Sequence, residues 1–488
     1  MQLLDLRDLH AGYHTNLLFT TEHLAISAGD RIGLIGTNGS GKSTLLHIIA
    51  GDLEPLSGEV GRFGTVRVAP QFGAPPSADA DWSERGIWGI GHKAYAPPET
   101  YSGGELVRER LAHAFAVPAD LYILDEPTAN LDLTGIRLLE NYLHELDSFI
   151  LVSHDRELLN RVTNRTLEIR EGRVFDFPGN FAAYHEWLLA DLERRQNEYE
   201  NYVAEKKRLE KVLRDQKRRA ERTQHKPKNK SASELKNIEF GAVGKSVQGK
   251  QKALNAAARH TERRIERMDV KEKPRRQYVI RPDFSLTDPP QNRVITEAFD
   301  LNFRYPAGPE IFRGASFFLE RNRKVVLRGD NGSGKSTLLK LIAQGHPAIR
   351  SVPKAKYGYF RQGMDSLDFE RSVLENVRRV SCQSEEVNRN ILARMGFFSN
   401  HVDLPAGVLS GGERMKLEFA MLFVADVNVL LLDEPTNYLD IDSLAAIEEM
   451  LTDYEGTALI VSHDRLFADA IADEIWQIED RAIKRVDW

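Results

Sequence analysis

The chain contains the same glycine-rich motif twice, once in each half. The first copy reads GTNGSGKST from Gly36 to Thr44, and the second reads GDNGSGKST from Gly329 to Thr337. In such a loop the glycines let backbone N–H groups curl around phosphates, the lysine reaches the β- and γ-phosphates, and a hydroxyl binds Mg²⁺. The duplicated loop therefore predicts two nucleotide sites in one polypeptide. The candidate residues are Gly36, Asn38, Gly39, Gly41, Lys42, Ser43 and Thr44 in the first copy, and Gly329, Asn331, Gly332, Gly334, Lys335, Ser336 and Thr337 in the second.

The composition indicates a globular protein without a membrane span. Its 488 residues leave room for about three domains, and 41% hydrophobic residues is ordinary for globular cores. The single cysteine, Cys382, excludes an internal disulfide framework and suits a reducing compartment, so we expect a cytoplasmic location. Charges interrupt the N-terminus too early for a secretory signal, and no run of about 18 apolar residues occurs.

The charge is unevenly distributed along the chain. Residues 187–281 contain 27 lysines and arginines against 14 acidic residues, although the formal net charge of the whole chain is -6. A basic segment between two acidic regions fits a polyanionic partner such as RNA or DNA, but a solvated helical linker has the same composition. Charge alone leaves both interpretations open.

An internal repeat extends beyond the two loops, because four further landmarks recur in the same order in both halves. These are a glutamine, a Ser-Gly-Gly-Glu segment, an apolar run ending in Asp-Glu, and a Ser-His-Asp segment. The apolar runs predict buried parallel strands whose carboxylates emerge at the C-terminal edge of a sheet, where they would meet the nucleotide. The landmarks are Gln71, Ser102–Glu105, Leu121–Glu126 and Ser153–Asp155 in the first half, and Gln362, Ser410–Glu413, Val429–Glu434 and Ser462–Asp464 in the second.

This set of motifs resembles the ATP-binding cassette superfamily, and the resemblance covers essentially the whole chain. It implies an ATPase that binds ATP and Mg²⁺ and forms ADP and phosphate. Glu126 and Glu434 would polarise the attacking water, and His154 and His463 would contact the γ-phosphate. The implied Mg²⁺-binding residues are Ser43, Gln71 and Asp125 in the first half, and Ser336, Gln362 and Asp433 in the second.

The Ser-Gly-Gly-Glu segments precede helical stretches, so their N–H groups can bind a phosphate at a helix N-terminus. In the head-to-tail arrangement of the family, each segment would complete the site of the other half. ATP would then join the halves, and hydrolysis would open them. By this resemblance the site of Lys42 would be completed by Ser410, Gly411, Gly412 and Glu413, and the site of Lys335 by Ser102, Gly103, Gly104 and Glu105.

Two tyrosines, Tyr13 and Tyr305, precede their loops where an aromatic residue of the family stacks on adenine, although a core position for either ring stays open. One departure from the family pattern is Tyr101, which stands where the second copy has Leu409. Both polarising glutamates are nevertheless present, so we expect two working sites.

The predicted fold class is α/β, with two P-loop ABC-type nucleotide-binding domains joined by a long α-helical hairpin linker. We expect the domains at 1–178 and 290–488 and the linker at 179–289. Apolar residues recur at spacings near three and four on both sides of an aperiodic stretch, which predicts two antiparallel helices and a tip loop at about 223–251. About thirty helical residues would extend this tip roughly 45 Å.

Tandem cassettes joined by a long basic hairpin resemble the ABC-F group, whose members bind the ribosome. The resemblance implies a 70S ribosome partner, with the hairpin entering the tRNA exit site and contacting P-site tRNA and ribosomal RNA. It also implies a monomer with an intramolecular cassette dimer that binds in the ATP-bound closed form and leaves after hydrolysis.

Within this group the chain resembles the antibiotic-resistance, Msr-like type, whose linker reaches toward the peptidyl-transferase centre and displaces a drug. Only 31 residues separate Gln71 from Ser102, so the arm that housekeeping members often carry in the first cassette is absent, and the chain stops 25 residues after His463. A housekeeping translation factor acting on stalled or idle ribosomes and the ATPase subunit of an ABC transporter remain the alternatives.

The tip is the least specific part of the resemblance. We expect two apolar residues to approach the drug site and three lysines to contact nearby RNA phosphates, but an unpacked loop with an incidental phenylalanine fits the sequence as well. The sequence identifies no drug class. The residues are Phe240 and Val243, and Lys228, Lys230 and Lys245.

Overall fold

The computed structural model describes residues 1–488 except 15, 71–81, 92–100, 102, 130, 225–241, 272–280, 307, 362–365, 437–438 and 487–488. The described chain divides into two compact units, of which one combines Met1–Tyr184 with Gln277–Trp488 and the other is His185–Arg276. We call Met1–Tyr184 the N-terminal lobe, Gln277–Trp488 the C-terminal lobe and His185–Arg276 the hairpin.

The N-terminal lobe is built around one sheet, which has nine strands within the described residues. The strands are β1 (Gln2–Tyr13), β2 (Asn16–Ser27), β3 (Arg31–Gly36), β4 (Ser57–Arg62), β5 (Val66–Ala69), β6 (Leu121–Asp125), β7 (Phe149–Val152), β8 (Arg165–Arg170) and β9 (Arg173–Phe177). Their order is β4-β1-β2-β9-β8-β3-β7-β6-β5. The helices are α1 (Lys42–Ala50), α2 (Trp82–Ile87), α3 (Gly103–Phe115), α4 (Leu133–Glu145) and α5 (Arg156–Val162).

The hairpin contains two long helices. They are α6 (Phe181–Gln224) and α7 (Ala242–Glu266), with 44 and 25 residues. Cross-helix contacts join Lys217 to Glu262 at 2.9 Å and Glu205 to Arg264 at 2.9 Å, and Glu198 lies 3.5 Å from Lys271, which follows α7. Because the partner's number rises as the number in α6 falls, the two helices run antiparallel. In the described ranges, neither these helices nor any other is both long and apolar enough to cross a membrane.

The predicted tip loop at 223–251 was too long. Helix α6 continues through Gln224, and α7 already begins at Ala242, so residues 242–251 are helical. Their sequence, AVGKSVQGKQ, places Val243 and Val247 four residues apart and Leu254 seven residues later, so the helical period of the second helix already begins there despite the two glycines. Val243 and Lys245 therefore lie in a helix, whereas Lys228, Lys230 and Phe240 lie outside the described residues.

The C-terminal lobe divides its strands between two sheets in the described part of the chain. The strands are β10 (Val294–Arg304), β11 (Glu310–Glu320), β12 (Lys324–Arg328), β13 (Ile349–Ser351), β14 (Tyr357–Phe360), β15 (Val429–Asp433), β16 (Thr457–Val461), β17 (Glu474–Glu479) and β18 (Ala482–Val486). Their orders are β11-β10-β13 and β14-β15-β16-β12-β17-β18. The helices are α8 (Lys335–Ala343), α9 (Val373–Val380), α10 (Glu385–Arg394), α11 (Gly411–Val424), α12 (Ile441–Asp453) and α13 (Arg465–Ile471), with 3₁₀ turns at Phe284–Thr287, Ser399–Asp403 and Ala406–Val408.

The parallel core of each lobe brings the repeated motifs to one edge. In the N-terminal lobe β3 and β6 flank β7 in parallel, and Asp125 at the end of β6 lies opposite Val152. In the C-terminal lobe Asp433 lies opposite Val461 in the same way. Strands β15 and β16 are buried throughout, as expected for parallel strands covered on both faces. The predicted fold class is confirmed.

Burial in the hairpin generates a test of its helix pairing. Leu209 of α6 is 5% exposed, whereas Leu189 of the same helix is 55% exposed. We expect Leu209→Asp to destabilise the hairpin by about 2–4 kcal/mol, because it replaces buried apolar surface with a charge. Hydrogen exchange of the hairpin amides measures this loss. Leu189→Asp is the matched control, and equal exchange in both variants would contradict the observed packing.

Candidate functional site

Each phosphate loop connects a parallel strand to a helix. The first loop joins β3 to α1, and the second joins β12 to α8. Gly41 and Gly334 are the N-cap residues, with φ angles of 105° and 109°. A Cβ atom on Gly41 would lie 2.8 Å from Phe19, and one on Gly334 would lie 2.5 Å from Ile311. Both backbone angle and space therefore require glycine at these two positions.

The two loop lysines make equivalent contacts. Lys42 Nζ donates to the carbonyl oxygens of Gly36 at 2.7 Å and Thr37 at 3.1 Å. Lys335 Nζ donates to the carbonyl oxygens of Gly329 at 2.7 Å and Asp330 at 3.1 Å. Burial lowers the pKa of both lysines, partly offset by the acidic residues nearby. Each cation is thus held at the mouth of its own loop by carbonyl groups.

Each lobe pairs a loop serine with an aspartate at the end of a strand. Ser43 Oγ donates to Asp125 Oδ2 at 3.3 Å, and Ser336 Oγ donates to Asp433 Oδ1 at 2.9 Å. Burial raises the pKa of both aspartates. Hydroxyl and carboxylate oxygens are the donors that Mg²⁺ prefers, so these residues fit the metal that accompanies a nucleotide.

The two predicted polarising glutamates have a strained backbone. Glu126 and Glu434 both have a φ of 51°, in the left-handed region that non-glycine residues seldom occupy. Such strain costs on the order of 1–3 kcal/mol and concentrates at functional sites. The carboxyl oxygens lie 3.0 Å from His154 Nε2 and 3.2 Å from His463 Nε2. The repeated outlier therefore marks both glutamates as functional candidates.

Burial controls the protonation of these glutamate–histidine pairs. It raises the pKa of Glu126 and Glu434 to about 8, with neighbouring aspartates adding to the effect. It lowers the pKa of His154 and His463 to about 4, reinforced by the loop lysines. Near neutral pH both histidines are therefore neutral in the nucleotide-free protein.

A cavity of about 1050 Å³ is lined by both lobes. Gly411 and Gly412 at the N-terminus of α11 line it together with Lys42. Gly103 and Gly104 at the N-terminus of α3 line it together with the second phosphate loop. Ser410 caps α11, and its Oγ accepts the N–H of Glu413 at 3.3 Å. The helix N-termini and the phosphate loops of both lobes therefore line one shared cavity.

The predicted site residues fall into three groups. The residues that line the cavity are Tyr13, Asn38, Gly39, Gly41, Lys42, Ser43, Thr44, Gly103, Gly104, Asp125, Glu126, His154, Asn331, Gly332, Gly411, Gly412, Glu434 and His463. Those described elsewhere along the same loops, strands and helices are Gly36, Glu105, Tyr305, Gly329, Gly334, Lys335, Ser336, Thr337, Ser410, Glu413 and Asp433. Gln71, Ser102 and Gln362 lie outside the described residues.

The two predicted stacking tyrosines are accessible. Tyr13 is 49% exposed and Tyr305 is 41% exposed. Their hydroxyls lie 3.4 Å from Thr44 Oγ1 and 3.3 Å from Thr337 Oγ1, respectively. Rings this exposed beside the phosphate loops leave a face free for a nucleotide base, which is more consistent with stacking than with a core position.

Sequence reasoning missed an aspartate that reaches across the lobes. Asp440 Oδ2 accepts the backbone N–H of Asn38 at 3.3 Å and the ammonium of Lys416 at 2.7 Å. Burial alone would raise the pKa of Asp440, but Lys416 and Ser443 outweigh it and lower the pKa to about 2. In the N-terminal lobe Asp132 pairs likewise with Arg108, at 3.3 Å. Both aspartates follow the Asp-Glu pair at the same distance, a repeat that comparison of the halves would have revealed.

Comparison with known proteins identifies relatives over nearly the full length. A family model described as "ABC transporter" matches residues 20–72 and 312–437. The "Ribosome protection protein VmlR" of Bacillus subtilis (strain 168) is 30% identical over 484 residues, which cover 96% of this chain and 85% of that protein. The "Erythromycin resistance ATP-binding protein MsrA" of Staphylococcus epidermidis is 31% identical over 491 residues, which cover 95% of this chain and 94% of that protein.

Among solved structures, that of an "RNase-L Inhibitor" has a TM-score of 0.64 to this chain. The match covers 98% of this chain and 90% of that one at 19% sequence identity. At this identity the likeness concerns the fold, and it extends over both lobes.

The raised pKa values predict how stability depends on pH without nucleotide. A carboxyl group whose pKa rises from 4.5 to about 8 on folding disfavours the folded state as pH increases from 4.5 to 8. We expect the decline in melting temperature over this range to be smaller in Glu126→Gln/Glu434→Gln than in the wild type. The histidines, which titrate with the opposite sign, are common to both proteins. Parallel pH profiles by calorimetry would contradict the burial argument.

The buried pair of Lys416 and Asp440 predicts a second effect on stability. Their side chains are 12% and 2% exposed. We expect Lys416→Met to cost about 3–5 kcal/mol, because it leaves a buried carboxylate without its cation. Lys416→Arg is the matched control, since Arg108 fills the corresponding role in the other lobe. Denaturant unfolding measures both variants, and equal stabilities would contradict this account.

Proposed function

Because the chain belongs to the ABC-F family of ATP-binding cassette ATPases, and within it resembles the Msr-like members, we propose that it protects the ribosome from antibiotics. In this proposal it binds the 70S ribosome near the tRNA exit site in the ATP-bound closed form. Its hairpin then extends toward the peptidyl-transferase centre and displaces the drug, and ATP hydrolysis drives release. The observation that carries the proposal is the similarity to a ribosome protection protein and an erythromycin resistance protein over nearly the whole chain, hairpin included.

The phosphate loops supply the proposed nucleotide contacts. The amides that follow Gly36 and Gly329 would bind the phosphates, and Lys42 and Lys335 would exchange their carbonyl partners for the β- and γ-phosphates. This exchange favours binding, because a phosphate oxygen is a stronger partner for an ammonium group than a neutral carbonyl.

The metal would be held by oxygen donors already in place. Ser43 with Asp125, and Ser336 with Asp433, are the proposed residues, and Gln71 and Gln362 remain predictions. Mg²⁺ would neutralise charge that develops on the phosphates. The serine and aspartate contacts orient these oxygens before ligand arrives.

Glu126 and Glu434 are proposed to position and polarise the attacking water. Their left-handed backbone holds the carboxyl group of Glu126 within 3.2 Å of His154 and that of Glu434 within 3.2 Å of His463. His154 and His463, being neutral, each keep one ring N–H, which would donate a hydrogen bond to the γ-phosphate. The chain's own contribution is therefore orientation of water and phosphate.

Nucleotide would act as a bridge between the lobes. The N-termini of α11 and α3 line the same cavity as the phosphate loops, and we propose that each binds the γ-phosphate held by the loop of the other lobe. Loss of that phosphate removes the contacts that differ between closed and open forms. We propose that one chain performs this cycle as a monomer, with its two lobes as an intramolecular dimer.

The basic hairpin supports an RNA partner. Residues 187–281 carry 27 lysines and arginines against 14 acidic residues, and α6 and α7 are long enough to present them in a groove. Phosphate contacts from such helices supply affinity, and shape supplies selectivity. At the tip, the approach of Phe240 and Val243 to the drug site, and of Lys228, Lys230 and Lys245 to RNA, stays a prediction.

A housekeeping translation factor is the second candidate, because the family also includes proteins without a resistance role. Drug susceptibility of a host with and without the gene separates the two. Loss of susceptibility to a macrolide, lincosamide or streptogramin with the gene supports protection. If no antibiotic loses potency, the result favours the housekeeping role over ribosome protection. The subunit of a transporter is disfavoured, since the hairpin would have no role there.

The two glutamates predict the kinetic consequences of blocking each site. We expect Glu126→Gln and Glu434→Gln each to lower ATP turnover, and the double variant to lose at least about 10²-fold, because a catalytic group that orients or deprotonates water contributes 10²–10⁴-fold. Phosphate release measures turnover. Retention of wild-type turnover by the double variant would exclude both residues from the catalytic role.

Ribosome binding tests the proposed partner. We expect Glu126→Gln/Glu434→Gln to co-sediment with 70S ribosomes in ATP but not in ADP, because the blocked protein stays closed. A further variant with Lys42→Ala and Lys335→Ala is the control, since it cannot hold the phosphates. Absence of ATP-dependent binding would contradict the ribosomal role.

A further inference from the structure

Helices α5 and α13, which follow His154 and His463, meet where the two lobes contact each other. We call this contact the seam. Arg156 is the first residue of α5, and Arg465 is the first residue of α13. Each is preceded by an aspartate that caps its helix, and Asp464 accepts the N–H of Phe467 at 2.9 Å. The two arginines therefore occupy equivalent positions in the repeat, directly beside His154 and His463.

Arg156 reaches from the N-terminal lobe into the C-terminal lobe. Its Nη1 donates to Glu448 Oε2 at 3.1 Å, and its Nη2 contacts the other carboxylate oxygen of Glu448. Its Nη2 also lies 3.9 Å from Asp464 Oδ2, next to His463. The arginine and Glu448 side chains are only 14% and 16% exposed. A shielded bidentate pair of this kind is stronger and more specific in geometry than a surface ion pair.

The equivalent contact is absent on the other side of the described seam. Glu140 is the eighth residue of α4, as Glu448 is of α12, but it binds Arg161 of its own lobe at 3.0 Å. Arg465 instead contacts Glu157 across the lobes, through a single oxygen at 3.3 Å. The side chains of Arg465 and Glu157 are 29% and 22% exposed, more than those of Arg156 and Glu448.

The sequence explains this asymmetry. Glu157 and Arg161 occupy positions in α5 where α13 has Leu466 and Ala470. Arg161 contacts both Glu140 and Glu157, so it draws Glu140 away from the seam. The C-terminal lobe has no basic residue at the position of Arg161, and Glu448 is left to bind Arg156. These two differences between the halves of the repeat thus leave the bidentate contact on one side of the seam only.

We propose that Arg156 is a positioning residue that, through Glu448 and Asp464, latches the closed form and holds the His463 loop against the N-terminal lobe. Both partners belong to the other lobe, so separation of the lobes breaks both contacts. The latch therefore stabilises the closed form selectively, and it acts on the side of the seam that carries Glu434 and His463. This inference rests on the proposed closure cycle, but not on a ribosomal partner.

The test measures how long closed protein retains nucleotide without ribosomes. In the Glu126→Gln/Glu434→Gln background, release of a fluorescent ATP analogue follows opening of the lobes. We expect Arg156→Ala and Glu448→Gln each to accelerate release by about tenfold, and Arg156→Lys by less, because lysine keeps the charge but loses the bidentate geometry. Combining Arg156→Ala with Glu448→Gln should add little to either alone, since both remove one contact.

Two controls separate the latch from general destabilisation. Arg161→Ala lies in the same helix but leaves Arg156, Glu448 and Asp464 in place, and it frees Glu140 and Glu157 to bind Arg465 across the seam, so it should not accelerate release. Arg465→Ala removes the weaker cross-lobe contact and should accelerate release less than Arg156→Ala. Unchanged release in Arg156→Ala, or equal acceleration by Arg161→Ala, would overturn the proposal. Rapid release by the unmodified background would instead contradict the closure cycle itself.

Discussion

The cavity between the lobes imposes the constraint on which the other features depend. Both phosphate loops offer backbone N–H groups to this cavity, and the N-termini of α11 and α3 offer further N–H groups from the two lobes. Both are positive ends of peptide dipoles, so they favour an anion between them and are less favourable when facing each other without one. An anion shared by both sides is therefore the natural link between lobe position and ligand chemistry. The parallel strands serve this arrangement by delivering their carboxyl ends to the same edge.

Several groups at this edge are held in states that cost stability. Glu126 and Glu434 combine a left-handed backbone with a largely buried carboxyl group. A core built for stability alone would have neither feature, because strain and desolvation both oppose folding. Their occurrence at equivalent positions in both lobes indicates that they serve the site. The surrounding buried strands, such as β15 and β16, supply the stability that offsets them.

Local patterns predicted the features that depend on short stretches of sequence. The phosphate loops, the buried strands ending at Asp125 and Asp433, and the paired linker helices follow from motif and period. The helical residues 242–251 were predicted as loop, because their two glycines obscure the helical spacing of Val243 and Val247 with Leu254. The contacts of Asp440 and Arg156 across the seam could not be predicted from one half, since they depend on how two lobes with slightly different sequences pack. The latch at Arg156 arises from sequence differences between the lobes, whereas motif comparison detects only what the lobes share.

The most direct test of the shared cavity is the number of ATP molecules retained by paired variants in the hydrolysis-blocked background. Lys42→Ala with Gly412→Asp alters the two halves of one shared site, whereas Lys42→Ala with Gly104→Asp alters one half of each. Completion of each site by the opposite lobe predicts about one ATP per chain for the first pair and none for the second, because an aspartate at the helix N-terminus repels phosphate. The reverse result, with ATP retained only by the second pair, would mean that each lobe completes its own site and would contradict the account.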